Sequence, residues 1–171
     1  MRRMRTALIL AILVVCGLAW LPAQQTAPAR PGGSELALPE EKHLRNVRQL
    51  TFAGENAEAY FSADNRLVIF QAHSGANDCD QIYIMHLDTE DKHRVSNGQG
   101  KTTCGYFFPR GDHVLYSSTH LAGPACPPRP DYSRGYVWPV YPDYDIFTAR
   151  LDGGDLRRRT ATPGYDAEAT V

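Results

Sequence analysis

Residues 54–71, GENAEAYFSADNRLVIFQ, return as residues 100–117, GKTTCGYFFPRGDHVLYS. The two stretches align without gaps at an offset of 46. Gly54 meets Gly100, Tyr60-Phe61 meets Tyr106-Phe107, and Val68-Ile69-Phe70 meets Val114-Leu115-Tyr116. Further on, QIYIMHLDTED (81–91) returns as DIFTARLDGGD (145–155) at an offset of 64. The change from 46 to 64 places an 18-residue insertion in the second copy, between Ser117 and Tyr144. Gly164 lies 64 after Gly100, so GYDAEATV (164–171) copies GENAEAYF and opens a third repeat.

A repeat of about 46 residues with four short apolar runs belongs to the bladed all-β architectures. In the first copy the strands are expected at 57–61, 67–71, 82–86 and 93–96. They are rich in Ile, Val, Tyr and Phe and bounded by polar turn residues. SADN (62–65) is a hairpin turn, with Asn65 able to take the left-handed conformation. No segment outside the first 23 residues keeps a helical period. The expectation is a partial β-propeller of four-stranded antiparallel blades. Blade one spans about 54–96 and blade two about 100–160, with the insertion at 118–143. The inner strand of a third blade starts at 164.

These residues carry a resemblance. RQLT, then YFSADNRLVIF, then DQIYIMHLDTED resembles the repeat of the periplasmic TolB-type (WD40-like) β-propellers. That consensus runs roughly L-T, F-S-P-D-G-K-x-I-x-F and I-Y-x-M-D-x-D-G. The likeness covers residues 45–171. Copy one has Ala63 for the family's Pro and Asn65 for its Gly; copy two has Phe108 for Ser and Arg110 for Asp. Only Asp64 keeps the motif's Asp. The resemblance implies the fold and an exported location; such repeats serve transport, signalling and peptidase-linked proteins alike.

Propellers close with four to eight blades, and two complete copies do not close a ring. Residues 44–51, LRNVRQLT, have the signature of an outer fourth strand that no earlier blade owns. The expectation is the N-terminal part of a longer protein; a ring assembled from several copies is the alternative.

The leading residues fit export. Arg2, Arg3 and Arg5 precede an uncharged apolar run, 7–21, and small residues follow. That is the layout of a secretory signal, cut after Ala23. An uncleaved anchor is the alternative, although the run is short for a bilayer span. Cys16 does not suggest a lipoprotein, because Val15 precedes it and the apolar run continues past it. Residues 24–42 read as a Pro-, Gly- and Ala-rich disordered leader. Without the signal's three arginines, 15 basic residues face 19 acidic ones. That balance argues against nucleic acid or an anionic membrane as partner.

The insertion is the most distinctive segment. It holds six of the chain's 12 prolines, with Arg129, Tyr132, Arg134, Tyr136, Trp138 and Tyr141. Aromatic and arginine side chains on a stiffened loop are the residue types of binding hot spots. The loop is read either as a recognition loop for a peptide, glycan or protein, or as a self-packed flap. Export permits a disulfide among Cys79, Cys104 and Cys126. Cys104–Cys126 is the first expectation and Cys79–Cys104 the second. A metal site of three thiolates with His120 is the sharper alternative, without a CxxC spacing to support it. Glu58 and Glu168 occupy equivalent inner-strand positions, matched by Cys104 in copy two. They are candidate channel-lining carboxylates, either binding a cation or basic peptide or accepting hydrogen bonds from a neighbouring blade.

Other motifs lead nowhere. GQGKTT (98–103) ends like a phosphate loop, but Val95 stands where that motif needs Gly, and a strand should follow. There is no GxSxG or HExxH, and the six scattered histidines suit surface or turn roles. No catalytic residue, metal or cofactor is expected. The favoured function is a non-catalytic module, periplasmic or secreted, that binds a protein or envelope component. The alternative is the propeller of an exported peptidase, prolyl-oligopeptidase-like or metallopeptidase, whose catalytic domain lies elsewhere.

Overall fold

The computed structural model describes residues 36–75 and 78–171. It divides into two units, Met1–Arg48 and Gln49–Val171. The expected signal and most of the expected leader lie outside the described residues. In the first unit, residues 36–48 form turns and bends; one turn is closed by Glu41 N–H on the Leu38 carbonyl at 3.0 Å.

The second unit holds two four-stranded antiparallel sheets in simple sequence order. The first contains β1 (Glu55–Phe61), β2 (Leu67–His73), β3 (Gln81–His86) and β4 (Lys92–Arg94). The second contains β5 (Thr102–Phe107), β6 (His113–Ser118), β7 (Asp145–Arg150) and β8 (Arg157–Arg158). The expected strands of copy one overlap β1 to β4. The insertion runs between β6 and β7, and its one short 3-10 turn is His120–Ala122.

Each sheet builds its first hairpin alike with different side chains. In the first, Ser62 N–H donates to Leu67 O at 2.9 Å, and Asn65 sits at φ 57°. In the second, Phe108 N–H donates to His113 O at 2.9 Å, and Gly111 sits at φ 70°. Asn and Gly are the residues that reach this conformation at least cost. Asp64, the surviving motif acid, is a turn staple. It accepts Ser62 Oγ at 2.6 Å and Arg66 N–H at 3.1 Å. Those two bonds, Ser62 first, hold its carboxyl below the usual range.

Strand alternation sends one side of each sheet inward. Ile69, Ile82, Ile84 and Val95 of the first sheet meet Phe107, Val114, Tyr116, Phe147 and Ala149 of the second in one buried cluster. Gly105 permits the close approach. A Cβ there would stand 3.0 Å from Ile69 Cδ1 and 3.2 Å from Ile82 Cγ2. The opposite side of the first sheet gathers Val68, Phe70, Ala72 and Met85, with Leu50 packed on them.

Polar side chains lock the sheets together. Gln71 Oε1 accepts both Thr103 Oγ1 at 2.8 Å and Cys104 N–H at 3.1 Å. Gln81 Nε2 donates to Gly100 O at 2.9 Å. Thr102 donates its N–H (2.9 Å) and its hydroxyl (3.0 Å) to the Asp80 carbonyl.

Two expected strands are absent. Residues 44–51 form none, and neither does 164–171. A strand exists only as part of a ladder, and no strand among the described residues pairs with either segment. The 164–171 stretch still bends like its copies. Glu58, Cys104 and Glu168 all lie in the left-handed region, at φ 50°, 55° and 59°.

Candidate functional site

The left-handed residues mark bulges. Along β1 the pairing jumps from Ala57↔Gln71 to Tyr60↔Ile69, so two residues, Glu58 and Ala59, face Phe70 alone. Along β5 it jumps from Thr103↔Ser117 to Tyr106↔Leu115. A bulge re-aims the side chain it carries. For a residue with a Cβ, this conformation costs on the order of 1–3 kcal/mol, a strain met most often at functional sites.

Glu58 and Cys104 sit in these bulges, and Glu168 takes the same left-handed turn outside any strand. Glu58 and the Glu168 backbone both lie near enough to Cys104 to bear on its thiol. Burial pushes the Cys104 thiol up to about 11; the Thr103 hydroxyl opposes this and the Glu58 carboxylate adds to it. Glu58 is half-buried and Glu168 exposed.

The cysteines pair otherwise than the sequence suggested. The disulfide joins Cys79 to Cys126, with Cα atoms 5.5 Å apart. Cys104 is a buried free thiol. The reason is topological. Cys79 lies on the β2–β3 connection and Cys126 on the β6–β7 insertion, and both connections leave the same end of adjacent sheets. Cys104 lies inside β5 and is turned toward Glu58. With two thiolates consumed, the metal alternative with His120 falls. Among the described residues no group of three or more His, Cys, Asp or Glu is placed to hold a metal ion. His120 packs on Phe147 with the rings tilted and 4.4 Å apart, and burial lowers its pKa despite the nearby Asp145.

The tethered insertion walls two adjoining cavities. One, of about 260 Å³, is lined by Glu58, Gln71, Lys101 and Thr103 from the sheets and by Tyr132, Tyr136, Trp138 and Tyr141 from the insertion, with Tyr144 and Tyr165. The rings form a connected wall. Tyr141 and Tyr144 lie 6.2 Å apart, and Tyr144 and Tyr165 meet edge-on at 5.6 Å. Trp138 lies close enough to Tyr165 to bear on its hydroxyl. Burial raises the pKa of both Tyr144 and Tyr165. Tyr141 Oη donates to the Pro128 carbonyl at 2.6 Å, bracing the loop on itself. The rings remain accessible: Tyr136 is 80% exposed and Trp138 50%.

The second cavity, of about 340 Å³, shares Lys101, Tyr132 and Tyr141 and adds Glu55, His73, Asp80 and Arg129. Asp80 is its hub, in contact with His73 Nδ1 at 2.6 Å and Lys101 Nζ at 3.2 Å. Arg134 is exposed and lines neither cavity.

Thus five of the six loop residues singled out from sequence line the paired cavities. The sequence reading missed Gln71, His73, Asp80, Lys101, Tyr144 and Tyr165. Lys101 sits in the stretch set aside as a false phosphate loop, and β5 does follow it. The tyrosines offered one usable signal, their position at the edges of the repeat units.

No family model matches the chain, and no curated protein matches it. Solved structures do. A TolB-assigned protein from Agrobacterium tumefaciens superposes with a TM-score of 0.52 at 20% identity, over 70% of this chain. The fold is that of the TolB-type β-propellers. The chain spans 39% of the length of that Agrobacterium protein. TolB from Acinetobacter baumannii matches with a TM-score of 0.43 and 14% identity, over 66% of this chain and 23% of its own. On this TolB-type fold the paired cavities lie at the end carrying the β2–β3 and β6–β7 connections. Among the described residues no helix is long and apolar enough to cross a membrane.

Proposed function

We propose that this chain is an exported TolB-like β-propeller module that binds a protein or envelope component through the cavity-bearing end, without catalysing a reaction. The observation that carries the reading is the insertion. It is covalently tethered through Cys126 and holds accessible tyrosine and tryptophan side chains over a cavity. A preorganised loop loses little entropy on binding, and rigid aromatics supply most of the contact energy. An extracytoplasmic location is supported by the disulfide and by the arginine-led apolar segment at residues 2–21. Arg129, Tyr132, Tyr136, Trp138 and Tyr141 are the contact residues of this proposal, and Glu58 contributes negative charge to the cavity they line. The test is site-specific photo-cross-linking from position 136 in intact cells. A discrete adduct should form, and should weaken when Trp138→Ala and Tyr132→Ala are combined. Loss of stability in that variant with an undiminished adduct would instead make the loop a structural flap.

A further inference from the structure

The aromatic cavity is lined by one carboxylate, Glu58. Glu58 is half-buried and held in a left-handed bulge. It appears in no ion pair among the described residues. The one base in the lining, Lys101, is paired with Asp80 at 3.2 Å. Tyr136, Trp138 and Tyr165 stand around the same space. A half-buried carboxylate among aromatic rings is complementary to a cation. Anions are disfavoured by Glu58, and a neutral occupant leaves the carboxylate uncompensated as the site closes. The volume, about 260 Å³, falls below the usual range for whole small-molecule sites, about 300–1,000 Å³. It suits one side chain.

From this geometry we infer that the cavity is a recognition pocket for a basic side chain, lysine or arginine, presented by a protein partner. The inference rests on the binding-module reading and adds the chemistry of its occupant. Glu58 takes the cationic head, and Trp138, Tyr136 and Tyr165 hold the alkyl stem and ring-facing charge. The neighbouring cavity, walled by Arg129 and Asp80, receives the adjoining peptide backbone.

The experiment is fluorescence anisotropy with the full chain and a labelled, end-capped nonapeptide carrying one central lysine. Its norleucine and acetyl-lysine counterparts serve as neutral controls. Lysine should bind about tenfold more tightly than either, the size of one desolvated cation–π and carboxylate contact. Glu58→Gln should abolish that preference. Tyr136→Ala, at an 80% exposed position, should weaken the lysine peptide roughly threefold with an unchanged melting transition. This second variant keeps the test decisive if Glu58→Gln folds poorly. Equal affinity for lysine and norleucine peptides, or no binding of the lysine peptide at millimolar concentration, overturns the inference. So does a preference that survives Glu58→Gln. Butylamine binding as tightly as the peptide overturns the protein source, and maltotriose binding in its place would make the pocket a glycan site. A cross-linked partner retained from position 136 without any lysine preference sinks this inference alone; absence of any discrete adduct from position 136 sinks the module reading itself.

Discussion

Replacing both Cys79 and Cys126 by serine should destabilise the cavity-bearing unit by about 4 kcal/mol. The magnitude follows from the chain the bridge closes. The cysteines are 47 residues apart, and the chain-entropy relation for a loop of that length gives about 4 kcal/mol at 25 °C. The native state itself should change little. The insertion keeps its Tyr141–Pro128 bond, and the sheets keep the Gln71 and Gln81 latches. The cost therefore falls on the unfolded ensemble, which gains freedom. Against a typical total of about 5–15 kcal/mol, this is a large fraction. With a urea slope of about 2 kcal/mol per molar, the midpoint should drop by roughly 2 M. Urea titrations of the oxidised parent and the double variant measure it. Cys104→Ser alone should leave the Cys79–Cys126 linked peptide intact in a non-reducing digest. A midpoint shift below about 0.5 M, or a linked peptide containing Cys104, would refute the reasoning.

Gln71→Leu should cost about 2–4 kcal/mol in denaturant titration, because Thr103 Oγ1 and the Cys104 N–H both lose their acceptor between the sheets. Gln71→Glu, which keeps an acceptor, should cost less. Gly105→Val should lower stability by about 1–3 kcal/mol, since its side chain would drive into Ile69 and Ile82; a neutral thermal shift would contradict the packing described. Cys104 should resist iodoacetamide in the native chain at pH 8, its thiol being pushed up to about 11 from an ordinary value near 9. The folded state holds that proton more tightly than the unfolded chain does. Its contribution is therefore complete below about pH 9 and lost as pH rises through about 11. Burial pushes Tyr116 up to about 12, which extends the alkaline loss. A pH-stability profile flat from 9 to 12 would count against both.

The strand pattern was legible because it is local. Alternating side chains along 67–73 and 113–118 choose a strand and its buried face at once. The repeat offset then carries each position to its copy, down to the left-handed residue shared by Glu58, Cys104 and Glu168. The insertion's aromatic character could also be read directly, since composition alone marks it. What the offset could not say is which side chains cross between repeats. Gln71 looks like an ordinary strand polar residue until Thr103 and Cys104 come within reach. The same holds for Lys101 and Asp80, 21 positions apart and ion-paired at 3.2 Å.

The amino-acid sequence by itself determined the antiparallel four-stranded units, their turns and the place of the long loop, because each depends on neighbours within a few residues. It also suggested strands at 44–51 and 164–171. A strand's hydrogen bonds belong to its partner, however, and neither segment has a partner strand among the described residues. Only the tertiary structure decided the Cys79–Cys126 bridge and the pocket over Glu58. Sheet-to-sheet packing determines which loop ends converge and which carboxylate comes to line the aromatic pocket. Such proximities arise from contacts dozens of residues apart, on which local pattern is silent.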